Sequence, residues 1–153
     1  MDADRLHAWD QELRAAHARL RAALTATREA LDSGTTAPDA ASELTLFCIG
    51  FCAALDGHHT SEDRTLFPAL RAEHPELDGV IDKLMQDHAM LSHLLSALRT
   101  AAERDEDAAS IARHLDGIGA IMESHFRFEE REILAPLRAL SLDRAVTDVL
   151  GPF

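Results

Sequence analysis

The stretch Phe51–Leu70, FCAALDGHHTSEDRTLFPAL, decides the fold and points to the chemistry. Phe51, Leu55 and Leu66 recur at helical spacing, the period of an amphipathic helix with one buried face. Between Leu55 and Leu66, His58, His59 and Glu62 stand where leucine or isoleucine is expected. Further along, Ile121–Leu137, IMESHFRFEEREILAPL, repeats the arrangement: Met122 is followed by His125 and Glu129 on the same stripe. Each stretch ends in an apolar-proline step, Phe67-Pro68 and Ala135-Pro136.

Outward from these stretches the chain divides into four long periodic segments. Residues 2 to 32 carry Leu6, Leu13, Leu20, Leu24 and Leu31 on one stripe, closed by Ser33 and Gly34. After the loop SGTTAPDAAS, where Pro38 suits a helix start, a second helix is predicted from about residue 39 to His74, bent or locally broken in its last turns by Pro68. A third runs from about Glu76 to Arg104 through Ile81, Leu84, Leu91, Leu95 and Leu98. The fourth, from about Asp107 to Leu140, carries Ile111, Leu115, Ile118 and Met122, and a short fifth falls near Asp143 to Leu150. Four long amphipathic helices with short connections bury their stripes as an up-down-up-down four-helix bundle, so the expected class is all-α, a single domain over residues 1–153.

Composition agrees. No tyrosine, five prolines and seven glycines in 153 residues argue against an all-β fold of many short strands. A net charge of −12 repels a phosphate backbone or an anionic lipid surface, which argues against nucleic acid and membrane partners. The acidic start MDADRLHAWD lacks the positive region of a secretory signal, and the longest apolar stretch, Leu44 to Leu55, is well short of the roughly 20 residues a bilayer requires. The expected location is cytoplasmic. Cys48 and Cys52, four apart on a predicted helix, read as buried thiols.

The first and third helices break their stripes as the other two do, with His17 between Leu13 and Leu20 and His88 between Leu84 and Leu91. Burying several imidazoles and two carboxylates costs a few kcal/mol for each unsatisfied group unless something between them binds them. His58 and Glu62, like His125 and Glu129, are four apart, about 40° on the helix, so both members of each pair aim at one site. His59 lies about 100° from His58 but about 60° from Glu62, which lets it reach a second metal across a bridging Glu62 or act from the outer sphere. Glu129 is favoured over Glu130 as the bridge because Glu130 sits about 140° from His125. Asp63 is expected in the outer sphere or in solvent. His7, His74 and His93 fall off the stripes, and His114 lies roughly 16 Å along the helix from His125. Five histidines and two glutamates are too many for one tetrahedral zinc and suit two iron or manganese ions bridged by carboxylates.

Taken together, His17, HHTSEDRTLFPAL, DHAML and HFRFEEREILAPL resemble the hemerythrin-like proteins with the HHE cation-binding domain, over residues from about 10 to 140. The resemblance implies a four-helix bundle around two non-haem iron ions bridged by two carboxylates, with an exchangeable position for dioxygen, peroxide or nitric oxide. Carried onto this chain, it gives His17, His58, His88 and His125 as terminal ligands, Glu62 and Glu129 as bridges, and His59 in place of a helix-three histidine that oxygen-carrying hemerythrins would have at Ser92. Their last carboxylate is an aspartate five residues after the histidine, whereas here it is Glu129, four after His125. A di-iron oxidoreductase and an oxygen or iron sensor or carrier acting through a separate partner protein are the two readings that follow. A ferritin-like centre would use Glu-x-x-His pairs, and the order here is reversed.

Overall fold

The computed structural model describes residues 8–33 and 40–151. Among the described residues six α-helices form: α1 (Trp9–Ser33), α2 (Ala40–Ser61), α3 (Phe67–Glu73), α4 (Asp78–Glu103), α5 (Ala108–Arg138) and α6 (Val146–Leu150). A π turn over Glu62–Leu66 joins α2 to α3, and a 3-10 turn over Pro75–Leu77 precedes α4. The expected start of the first helix at residue 2, with Leu6 and His7, and the loop around Pro38 lie outside the described residues.

The segment expected as one helix from 39 to His74 is interrupted where Pro68 predicts, but upstream of the proline itself. Pro68 has no N–H to offer the carbonyl one turn back, and its ring crowds that carbonyl. The preceding turn widens, so that the Phe67 N–H donates to the Glu62 carbonyl, five residues back. Pro68 then sits in the first turn of α3, where a missing donor is harmless. The fifth helix occupies only the last part of its expected span, Val146–Leu150. At the start of α5, Asp107 is the N-cap, its carboxylate accepting from the Ser110 N–H at 2.8 Å.

The four long helical segments close a ring in which α1 packs on α2 and α5, and α4 packs on α2 and α5. Two apolar clusters show the alternating direction. One gathers Leu20 and Leu24 from late α1, Phe51 and Leu55 from α2, Leu91, Leu95 and Leu98 from late α4, and Ile111 to Phe126 from early α5. The other gathers Trp9 and Leu13 from early α1, Leu66, Phe67 and Leu70, Ile81 and Leu84 from early α4, and Ile133 and Leu137 from late α5, closed by Val149 and Leu150 of α6. This is the up-down-up-down bundle that the stripes predict. Each buried leucine or isoleucine contributes about 1.5–3 kcal/mol of transfer free energy. Cys48 and Cys52 are buried, unpaired thiols inside the first cluster, and burial pushes the Cys52 thiol up to about 12.

On the outside, the Arg21 guanidinium donates two bonds to Glu123, at 2.9 and 3.0 Å, and Arg28 pairs with Asp116 at 2.7 Å, tying α1 to α5. A Cβ at Gly119 would lie 3.0 Å from Arg28 Nη2 and 3.2 Å from Leu24 Cδ2, so the ends of these two α1 side chains lie against the glycine. Among the described residues, no helix is long and apolar enough to cross a membrane.

Candidate metal centre

Between the two apolar clusters lies a polar layer, one slice of the bundle thick. His17 from α1, His58 and His59 from α2, Glu62 from the π turn, His88 from α4, and His125 and Glu129 from α5 are all buried. All seven residues singled out in the sequence therefore meet in one place. Their ligating atoms form four overlapping groups, each within 4.8 Å: His17, His58 and Glu129; His58, His59 and Glu62; His59, His88 and His125; and Glu62, His88 and Glu129. None of these groups includes His74, His93, His114 or Ser92. His93 and Ser92 are exposed, while His114 and His74 are half-buried, His74 lying 3.0 Å from Glu76.

The inward-facing atoms crowd one another. His17 Nε2 lies 3.2 Å from Glu129 Oε1, His125 Nε2 3.4 Å from Glu129 Oε2, and His58 Nε2 3.1 Å from Glu62 Oε1. His88 Nε2 is 3.5 Å from Glu62 Oε1 and 3.1 Å from His125 Nε2. The side walls are aromatic: Phe126 stacks on His17 with centroids 3.8 Å apart, His59 stacks on His88 at 3.8 Å, and Phe67 covers His88 at 5.5 Å.

On three of the five imidazoles the outer nitrogen, Nδ1, meets a hydrogen-bond acceptor. His88 Nδ1 contacts Asp63 Oδ1 at 2.8 Å, His125 Nδ1 contacts Asp87 Oδ2 at 3.1 Å, and His58 Nδ1 contacts the Leu150 carbonyl at 2.7 Å. His17 Nδ1 faces Glu130 Oε1 at 3.5 Å. A proton held on Nδ1 by such an acceptor leaves the Nε2 lone pair pointing inward, the tautomer a metal ligand needs. Asp63, expected in the outer sphere or in solvent, lies behind His88, and Glu130 stands behind His17 while Glu129 faces the centre. Sequence reasoning missed Asp87 and the Leu150 carbonyl. Asp87 could have been found from its place next to His88; a backbone acceptor leaves no trace in side-chain pattern.

Protonation follows from burial and crowding. Burial first, then the neighbouring Glu129 carboxylate, pushes Glu62 well above the usual carboxylate range. Burial would do the same to Glu129, but His125 and His17 at its two oxygens outweigh it and hold it well below that range. Burial and the nearby His17 bring His58 down to about 3, and burial with His88, His58 and His125 depresses His59. For His17 and His125, burial is outweighed by the carboxylates beside them, and both are raised. Without metal, protons are therefore drawn toward Glu62, His17 and His125 and away from Glu129, His58 and His59.

That distribution of protons leaves work undone. His17 Nδ1 and Nε2, His59 Nε2 and all four carboxylate oxygens of Glu62 and Glu129 are buried without a hydrogen-bond partner. Orphaned buried groups are rare in folded proteins, and each costs about 1–3 kcal/mol. Imidazole nitrogens and carboxylate oxygens converging from four sides are the donor set of a borderline transition-metal ion, so the residues fit such an ion. A groove of about 720 Å³ between α4 and α5, lined among others by Asp87, Ser124, His125 and Phe128, brings solvent to the edge of the layer.

Fold and site together define a metal-binding helical-bundle protein. Residues 10–137 match the Hemerythrin HHE cation binding domain, and the chain belongs to this hemerythrin family. Comparison with curated proteins gives no match, and neither does comparison with solved structures.

Proposed function

We propose that the polar layer holds two non-haem iron ions and reacts with a small oxidant, O2, peroxide or nitric oxide. The observation that carries this reading is the set of unpaired buried ligand atoms, which is too large for one ion of low coordination number. On this reading His17 and His58 would hold one ion, His59, His88 and His125 the other, and Glu62 and Glu129 would be shared between them. The overlapping groups support that division, because Glu62 groups with His58 and His59 in one set and with His88 and Glu129 in another. Iron held there by imidazole and carboxylate would supply the electrons for reaction with a small oxidant.

The protein's own contribution is positional and electrostatic. Asp63, Asp87 and the Leu150 carbonyl hold His88, His125 and His58 with Nε2 inward and raise their basicity, and Glu130 stands 3.5 Å behind His17 Nδ1. Glu62, whose affinity for a proton is raised by burial and by Glu129, would give up that proton to a cation bound between the two carboxylates. Leu55, Met122 and Phe126 on one side, and Leu66 and Phe67 on the other, keep bulk water from the layer. The groove beside His125 is the route by which a small molecule arrives.

The test is rapid-mixing absorbance spectroscopy on anaerobically Fe(II)-loaded protein, challenged in turn with O2, peroxide and nitric oxide. A ligand-to-metal absorption band that rises within the mixing experiment and is lost in Glu62→Ala supports the reading. Iron that stays bound but spectrally unchanged with all three oxidants contradicts it.

A further inference from the structure

We infer that α6 is a positioning element of the metal centre, and that its docking on α1, α2 and the π turn is coupled to metal occupancy through the contact between His58 Nδ1 and the Leu150 carbonyl. The inference rests on the reading of His58 as a ligand. The contact is buried, 2.7 Å long, and joins residues 92 positions apart. Asp63, Asp87 and Glu130 come from the segments that carry the ligands themselves, so they arrive with the bundle. Leu150 belongs to a segment beyond residue 137, outside the part of the chain that matches the family.

Helix α6 has little to hold it folded on its own. It is five residues long, Ala145 provides no side-chain cap, and helices this short are unstable in water without packing. What holds it is burial of Val149 and Leu150 against Trp9, Leu13, Leu66 and Phe67, together with the Trp9 indole N–H donating to the Leu142 carbonyl at 3.1 Å. Its neighbours, α1, α2 and the π turn, carry His17, His58, His59 and Glu62. Docked α6 fixes the proton of His58 on Nδ1 and aims Nε2 at Glu62; undocked α6 removes that acceptor and opens one wall of the layer. Coupling of this kind is reciprocal: whatever docking adds to metal affinity, bound metal adds to docking.

The experiment compares the full chain with Val149→Asp, which places a carboxylate at a fully buried position of α6, and with the milder Gly151→Ala. Gly151 ends α6 with φ of 102°, a conformation a Cβ strains, so the alanine shifts the adjoining Leu150 carbonyl. Anaerobic Co(II) and Fe(II) titrations are expected to show at least one of two equivalents weakened roughly 10-fold or more in Val149→Asp. In Gly151→Ala the weakening is expected to be smaller. Hydrogen exchange in the unaltered chain is expected to slow at the amides of Asp148 and Gly151 on metal loading.

Equal affinities in all three proteins, or α6 exchange that ignores metal, would overturn the inference while leaving the metal centre standing. An unaltered chain that takes up neither ion would overturn the metal-centre reading, and this inference with it. If Val149→Asp does not fold, the exchange comparison on the unaltered chain decides alone.

Discussion

At the scale of single residues, position on the helix separates the buried members of the polar layer from histidines that face solvent. Glu62 and Glu129 are fully buried and have no hydrogen-bond partner, whereas His93 shares a helix with His88 but faces solvent. Replacing either glutamate by alanine is expected to lower iron content measured by plasma emission, by at least one equivalent per chain, while His93→Ala retains it. The outer acceptors act more weakly. Asp87→Asn and Asp63→Asn keep shape but remove the charge behind His125 and His88, and each is expected to weaken metal affinity about 10- to 100-fold with the fold intact. The seven inward residues were legible in sequence because each interrupts an apolar stripe, and that interruption is visible without any structure. Asp87 was not, since it lies beside the stripe, where a solvated aspartate is ordinary. The Leu150 carbonyl could not be, since every residue has one.

At the scale of elements, helix lengths and faces were readable because the leucine period is long and uninterrupted outside the polar layer. Local backbone exceptions were harder. Pro68 announces an irregularity, but whether the chain answers by kinking, by ending the helix or by widening a turn depends on what packs around it, and here Leu66, Phe67 and Leu70 must all reach the core. The resulting π turn contains Glu62, so the proline lies close to one of the two buried carboxylates of the polar layer. The N-cap of α5 offers a control at the opposite end of the bundle from α6. Asp107→Ala removes the bond to the Ser110 N–H and is expected to cost about 1 kcal/mol. For a chain of this size that is a fall in melting temperature of roughly 2–4 °C by calorimetry, with metal affinity unchanged. A matching loss of metal affinity would mean that the layer senses the whole length of α5.

At the scale of the whole molecule, the bundle consists of two apolar halves and a polar slice between them, and the slice is the costly part. Without metal, the halves are held apart by groups that have lost water and found too few partners; with metal, the same groups become bonds. Chelation is therefore expected to destabilise the chain. Free metal at about 100 times its dissociation constant supplies about 2.7 kcal/mol. This corresponds to a melting temperature higher by about 5–10 °C than in excess chelator. The architecture was legible from four stripes and their short connections, and the partition into halves from the single level at which all four stripes turn polar. The closure of one half by α6 was legible only as a short helix, not as a wall of the centre, because five residues carry too little pattern to show what they cover. The central claim is that this slice holds two metal ions, and its most direct measurement is anaerobic titration of the chelated, metal-free protein with Fe(II), counting equivalents bound per chain. Two equivalents, falling below two in Glu62→Ala, is the result expected; binding of one equivalent or none, or two equivalents unaffected by loss of Glu62, would contradict it.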